Sequence, residues 1–149
     1  MKVSIGFDHG ALGLRAPVIE KLSELQHEVA DHGTDSPESV DYPDYARLVA
    51  EDVASGRADL GILCCTTGIG MSIAANKVDG VRAALVHHED EAELTRRHNN
   101  SNILCLGALH TTAYDAKRLV EIFLKSEFEG GRHARRVDKF TALEGGSCV

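Results

Sequence analysis

The sequence predicts an α/β protein, a three-layer α/β/α sandwich on a five-stranded parallel sheet. Short apolar runs alternate with amphipathic stretches along all 149 residues. The runs are close to continuous in apolar residues, as strands buried on both faces are. No linker, repeat or low-complexity segment interrupts them, so residues 1–149 are expected to form a single domain. Right-handed crossovers between such strands give a doubly wound, Rossmann-like sheet.

The elements follow in order. "VSIGF" (3–7) is the first strand, and residues 11–26 form an amphipathic helix after it. "EVADH" (28–32) is the second strand. "VDYPDYA" opens a helix over 42–55, with Asp41 as N-cap and Pro43 in the first turn. "DLGILC" (59–64) is the third strand, leading through a glycine turn into a helix over 69–77. "VRAALV" (81–86) and "NILCLG" (102–107) are the fourth and fifth strands, with a helix over 89–98 between them. The helix over 112–126 carries the clearest period, since Ala116, Leu119, Val120, Phe123 and Leu124 share one face. A last helix covers 133–143, and "GGSCV" forms a loose tail.

Charge and cysteine content narrow the function. A net charge of −7 argues against general nucleic-acid binding, which needs a basic face. No apolar stretch reaches the length of a membrane span, and the N-terminus lacks a signal-peptide layout. Cys64, Cys65, Cys105 and Cys148 form neither a CxxC pair nor a secreted disulfide frame, which points to a reducing cytoplasm. His87 and His88 are adjacent and no HExxH occurs, so no metal site is expected.

In open α/β sheets ligands bind beyond the carboxyl ends of the strands. Three such ends carry unusual residues: Asp8-His9-Gly10, Cys65-Thr66-Thr67-Gly68-Ile69-Gly70 and His87-His88. The Gly68/Gly70 loop feeds a helix, so its free N–H groups can hold an anion. It is no Walker loop, and Met71 stands where a cysteine phosphatase would need Arg. What remains is an oxyanion loop for carbon chemistry, against the plainer reading of a tight packing turn. Either thiol alone reads as packing. Strand alternation separates the pair, however, leaving Cys64 on the sheet and moving Cys65 into the turn beside a helix start. A helix N-terminus favours the thiolate, which makes Cys65 the better base or nucleophile. Arg132, Arg135 and Arg136 gather on one helical face, either solvated or suited to phosphate. His98, at a helix end, reads as a cap on spacing alone.

Taken together, "IGFDHGALGLR", "DYPDYA", "GILCCTTGIGMSIAANK", "RRHNNSNILCLGA" and "EFEGGRHARRV" closely resemble type B ribose-5-phosphate isomerases and the related galactose-6-phosphate isomerase subunits. The resemblance runs from residue 5 to about residue 137. It implies a cofactor-free aldose–ketose isomerase acting on a sugar phosphate, as a homodimer or dimer of dimers with sites built from two subunits. It also implies roles: Cys65 as general base, His98 in ring opening, and Asp8 and His9 as substrate contacts. Thr66, Thr67, Gly68, Ile69, Gly70 and Ser72 match the loop that holds the enediolate, with Asn99 assisting. Arg132 and Arg136 match the phosphate pair, and Tyr42 lines the pocket. Asp8 or Thr67 would move the proton between the two hydroxyl oxygens. One position departs, because Cys65-Thr66-Thr67-Gly68 stands where the family carries Cys-Gly-Thr-Gly. A β-branched residue fits there only if φ is negative. Six-carbon sugar phosphates, a nucleotide-binding module and a redox-sensing thiol protein are the alternative readings.

Overall fold

The computed structural model describes residues 1–146; Cys148 and the end of the expected tail lie outside them. Strands β1 (Lys2–Phe7), β2 (Glu28–Asp31), β3 (Leu60–Cys65), β4 (Ala83–Leu85) and β5 (Ile103–Gly107) form one sheet in the order β2-β1-β3-β5-β4. Every pairing is parallel. Six α-helices cover it: α1 (Leu12–Glu24), α2 (Tyr42–Ala54), α3 (Ile69–Ala75), α4 (Glu89–Asn99), α5 (Ala113–Lys125) and α6 (Arg132–Thr141).

Strand alternation divides the core into two layers. Val3, Ile5 and Phe7 of β1 face one way, against Leu14, Val18 and Leu22 of α1 and Leu119 and Phe123 of α5. Leu63 and Cys65 of β3 face the other way, against Val49 and Val53 of α2 and Met71 of α3. Each large side chain fully buried here stabilises the fold by about 1.5–3 kcal/mol. The periodic face of α5 is buried at all five expected positions.

Several boundaries move by one or two residues. The first helix is preceded by a 3-10 turn over His9–Ala11, for which the Asp8 carboxylate accepts the Gly10 N–H. α3 ends at Ala75 instead of residue 77, and α6 runs from Arg132 to Thr141. β4 is shorter than its apolar run. Arg82 donates its N–H to Asn102 Oδ1 at 2.7 Å and its Nε to the Asn100 carbonyl, so side chains replace ladder pairing there. The expected tail begins as a 3-10 turn over Glu144–Gly146.

One polar knot enters the α2 layer. Asp52, on α2, accepts from Ser4 Oγ of β1 at 2.9 Å and from Arg57 Nε at 2.8 Å, and pairs with His32 Nε2 at 2.7 Å. Burial raises its pKa, but the hydrogen bonds from His32, Arg57 and Ser4 outweigh that and bring it down to about 2. No described helix is long and apolar enough to cross a membrane.

Candidate active site

The chain leaves β1 toward β2 on one side and continues from β3 toward β5 and β4 on the other. The crevice between the carboxyl ends of β1 and β3 is therefore the sheet's topological switch point, where open α/β sheets bind ligands. Asp8, His9 and residues 65–70 all lie there. The loops touch, since a Cβ built on Gly10 would fall 2.0 Å from Thr66 Oγ1. Asp8 is buried, and that burial pushes its carboxyl up, while the Gly10 N–H works against the shift. His9 Nδ1 accepts the Val40 N–H at 3.1 Å, which fixes the tautomer with Nε2 as donor. Val40, from the loop after β2, was not among the residues expected at the site; backbone donors leave no trace in side-chain identity.

The two thiols separate as alternation requires. Cys64 is fully buried among the residues facing α1 and α5. Burial, with Cys105 and Cys65 nearby, drives its pKa upward and keeps it protonated. Cys65 faces α3. The sequence reading placed it in the turn, but it is the last residue of β3, pairing with Gly107 of β5. Its sulfur accepts the Gly68 N–H at 3.1 Å. A donor from the loop ahead of α3 thus points at this thiol.

Gly68 precedes α3 with φ +76°, and a Cβ on it would meet Leu85 Cδ1 at 2.5 Å and the Leu106 carbonyl carbon at 2.9 Å. Both the left-handed backbone and the close approach require glycine. Thr66 is not among the non-glycine residues with positive φ, so its branched side chain is unstrained. The loop's donors divide. Gly68 N–H goes to the Cys65 sulfur and Ile69 N–H to Thr67 Oγ1 at 3.3 Å. Gly70 and Met71, in the first turn of α3, have no i−4 partner within it, as at any helix start. The Ser72 hydroxyl turns back to the Ile69 carbonyl at 2.8 Å. Tyr42, the first residue of α2, lays its ring on Gly70, where a Cβ would come within 2.5 Å of the ring. Asp41 holds the N-cap position but makes no side-chain cap bond. His87 and His88 are accounted for by capping, because Glu91 Oε2 accepts both of their N–H groups at the start of α4.

The remaining expected residues lie elsewhere. α4 runs back against the strands, which carries His98 and Asn99 to the amino ends of the sheet. Cys65 pairs with Gly107, whereas β5 begins four residues earlier at Ile103 beside Gly61. At 3.3 Å per residue the two ends are about 13 Å apart, with the sheet between them. α6 joins this second cluster: His133 stacks on His98 with ring centres 4.2 Å apart and planes 6° from parallel. Arg132 and Arg136 are exposed on α6 and have no carboxylate partner within 4.0 Å among the described residues. Glu129 and His133 are residues that sequence reasoning did not single out. His133 is 35 positions from His98, and no spacing rule announces a stack between separate helices. A cavity of about 810 Å³ opens at this end too, lined by residues that include Asn76, Arg82, Asn99, Ser101 and Phe140. It contains Asn99 but not Cys65. Within one chain, then, the expected site is in two halves.

A family model described as Ribose/Galactose Isomerase matches residues 3–140. Ribose-5-phosphate isomerase B of Escherichia coli is 44% identical over 143 residues, covering 96% of each chain. Ribose-5-phosphate isomerase B of Clostridium thermocellum is 48% identical, with a TM-score of 0.94 over 97% of both chains. The Mycoplasma genitalium ribose-5-phosphate isomerase B structure, which has ribulose-5-phosphate bound, is 44% identical with a TM-score of 0.93, covering 98% of this chain and 97% of that one. With the Cys65 loop and the His98 cluster both inside the matched span, the chain belongs to the ribose/galactose isomerase family.

Proposed function

We propose that this chain interconverts ribose 5-phosphate and ribulose 5-phosphate through a cis-enediolate, with Cys65 as the base. The observation that carries the reading is the Cys65 thiol at the switch point, accepting the Gly68 N–H at 3.1 Å. Of the two adjacent thiols it is the one facing the anion loop, while Cys64 is sealed in the core and held protonated. The relatives named above carry the same activity in their names, which supports a five-carbon substrate.

The chemistry then follows. In ring opening the C1–O4 bond breaks, a proton leaves the C1 hydroxyl and one arrives at O4, a transfer assigned to His98. Cys65 removes the proton from C2 and returns it to C1. In the Gly68–Gly70 loop the Gly70 N–H, which has no i−4 partner in α3, is the donor given to the developing oxyanion, and one such donor is worth about 2.7–4 kcal/mol. Asp8, with its raised carboxyl, or Thr67 moves the proton between O1 and O2. Arg132 and Arg136 bind the phosphate, whose binding energy orients the reacting carbons. Each proton move is given to a group of the chain, and the reading uses no cofactor.

The same reading makes the active unit at least a homodimer, with Cys65 of one chain facing His98 and Arg132 of another. Its support is the separation of the two half-sites by the length of the sheet. Ile69 and Ile73, one turn apart on α3 beside the loop, are 52% and 57% exposed, an apolar pair suited to a second copy. The buried free thiols suit a reducing cytoplasm.

The decisive experiment follows both net isomerisation and exchange of the C1 hydrogen of ribulose 5-phosphate in D2O. Cys65→Ala should lose both by at least about a thousandfold while remaining folded. An active Cys65→Ala enzyme would remove the assignment.

A further inference from the structure

Glu129, in the segment between α5 and α6, is tied to the end of α4 twice. Its N–H donates to the Arg97 carbonyl at 3.0 Å. Its Oε1 accepts from Arg97 Nε at 2.7 Å and from a second nitrogen of the same guanidinium. The other oxygen, Oε2, has no such anchor and lies 3.4 Å from His133 Nε2 and 3.8 Å from His98 Nε2. The His133 ring, nearly buried, lies flat against one face of the His98 ring, whose side chain remains 35% exposed.

These contacts divide the roles between the two imidazoles. The Arg97 hydrogen bonds hold the Glu129 carboxyl below its ordinary range, so it stays ionised. Burial, followed by the neighbouring His98 and Arg132, pushes the His133 imidazole down, so it stays neutral. Only His98 combines solvent access with a facing carboxylate oxygen. A metal is the other occupant a His-Glu-His cluster suggests, since three donor atoms lie within 4.8 Å of one another. The parallel rings oppose it, because they aim their Nε2 lone pairs side by side instead of at one point. Arg97 on the carboxylate and Arg132 Nε 3.5 Å from His133 Nε2 already supply positive charge there.

We propose that Glu129 and His133 are positioning residues for His98: the stack fixes the plane of its ring, and the carboxylate offsets the positive charge it takes while carrying the ring-opening proton. This rests on the reading of His98 as the ring-opening group. It extends that reading to two residues which touch neither the sugar nor the phosphate in it.

The test exploits the substrate's own chemistry. Ribose 5-phosphate is cyclic, whereas ribulose 5-phosphate has its C5 oxygen blocked by phosphate and stays open. Exchange of its C1 hydrogen in D2O therefore reports enediolate formation without any ring step. Glu129→Gln should lower kcat on ribose 5-phosphate about tenfold, with KM and C1 exchange each within about twofold of wild type. Glu129→Asp, which keeps the charge, should recover part of the loss, and it provides the reading if the Gln variant does not fold. His133→Phe, which keeps a flat partner, should lose less than His133→Ala. Unchanged kcat in folded Glu129→Gln, or a parallel fall in C1 exchange, overturns the proposal. His98→Asn serves as the control: an equal loss of turnover and exchange in that variant condemns the reading of His98 itself. Zn2+ that binds the wild type but not Glu129→Gln would make the cluster a metal site and overturn the positioning role.

Discussion

Cys64 and Cys65 are adjacent in sequence and opposite in circumstance. One peptide bond turns the first thiol toward α1 and α5 and the second toward α3. The second receives a backbone donor, and burial drives the pKa of the first upward. Cys64→Ala should therefore keep most of the activity and cost stability by about 1 kcal/mol, read from a denaturant melt. Iodoacetamide should label Cys65 in preference to Cys64, and ribulose 5-phosphate should protect it; mass mapping checks both. The neighbouring loop offers a second comparison. Thr66→Gly, which restores the residue usual in the family, should change kcat/KM by less than about threefold, because Thr66 has no left-handed backbone to relieve. Gly68→Ala should cost several kcal/mol or fail to fold, since it combines φ +76° with a 2.5 Å contact. A tolerant Gly68→Ala and a crippled Thr66→Gly would show that the strain lies at the other position.

At the scale of elements, periodicity and alternation made most of the fold legible. All five strands, the parallel sheet and the buried face of α5 follow from apolar runs and a 3.6-residue period. Boundaries were less legible where side chains substitute for the ladder, as Asn102 does for Arg82 at the start of β4. The Cys65 half of the candidate site was legible because its polar residues follow the carboxyl ends of β1 and β3, and the tie between His9 and the Val40 backbone was not. Glu129 and His133 stood within a recognisable stretch, yet their meeting with His98 depends on how α6 packs on α4. The Asp52 knot is a tertiary feature of the same kind, joining β1, α2 and the residues after β2. Its folded pKa, about 2, lies below the unfolded value of about 3.9. A depressed carboxyl contributes stability above its unfolded pKa and loses it as pH falls through the folded one. The knot should thus contribute about 2 kcal/mol near neutrality, fading between about pH 4 and pH 2. Asp52→Asn should be less stable than wild type at pH 7, and the difference should shrink across that window. Denaturant midpoints at several pH values measure it, and a constant difference would refute the assignment.

The whole molecule carries two candidate half-sites at opposite ends of one sheet. Light scattering should find at least two chains per particle, and Ile69→Asp with Ile73→Asp should produce a folded but inactive smaller species. Mixing gives a sharper check. Cys65→Ala lacks one half-site and the double variant His98→Asn/Arg132→Ala lacks the other, so each should be inactive alone. Random re-pairing of unfolded and refolded chains makes about half of the dimers hybrids with one intact site, restoring about a quarter of wild-type activity. No recovery, with hybrids present by native mass spectrometry, would place both halves in the same chain. On the proposed dimer, the division also has a genetic consequence. A chain damaged in one half still lends its sound half to a healthy partner, so a cell making both forms keeps some activity. A chain damaged in both halves has nothing to lend, and each pairing silences an intact copy. With equal amounts of the two chains, a single lesion should leave about half of wild-type activity and a double lesion about a quarter.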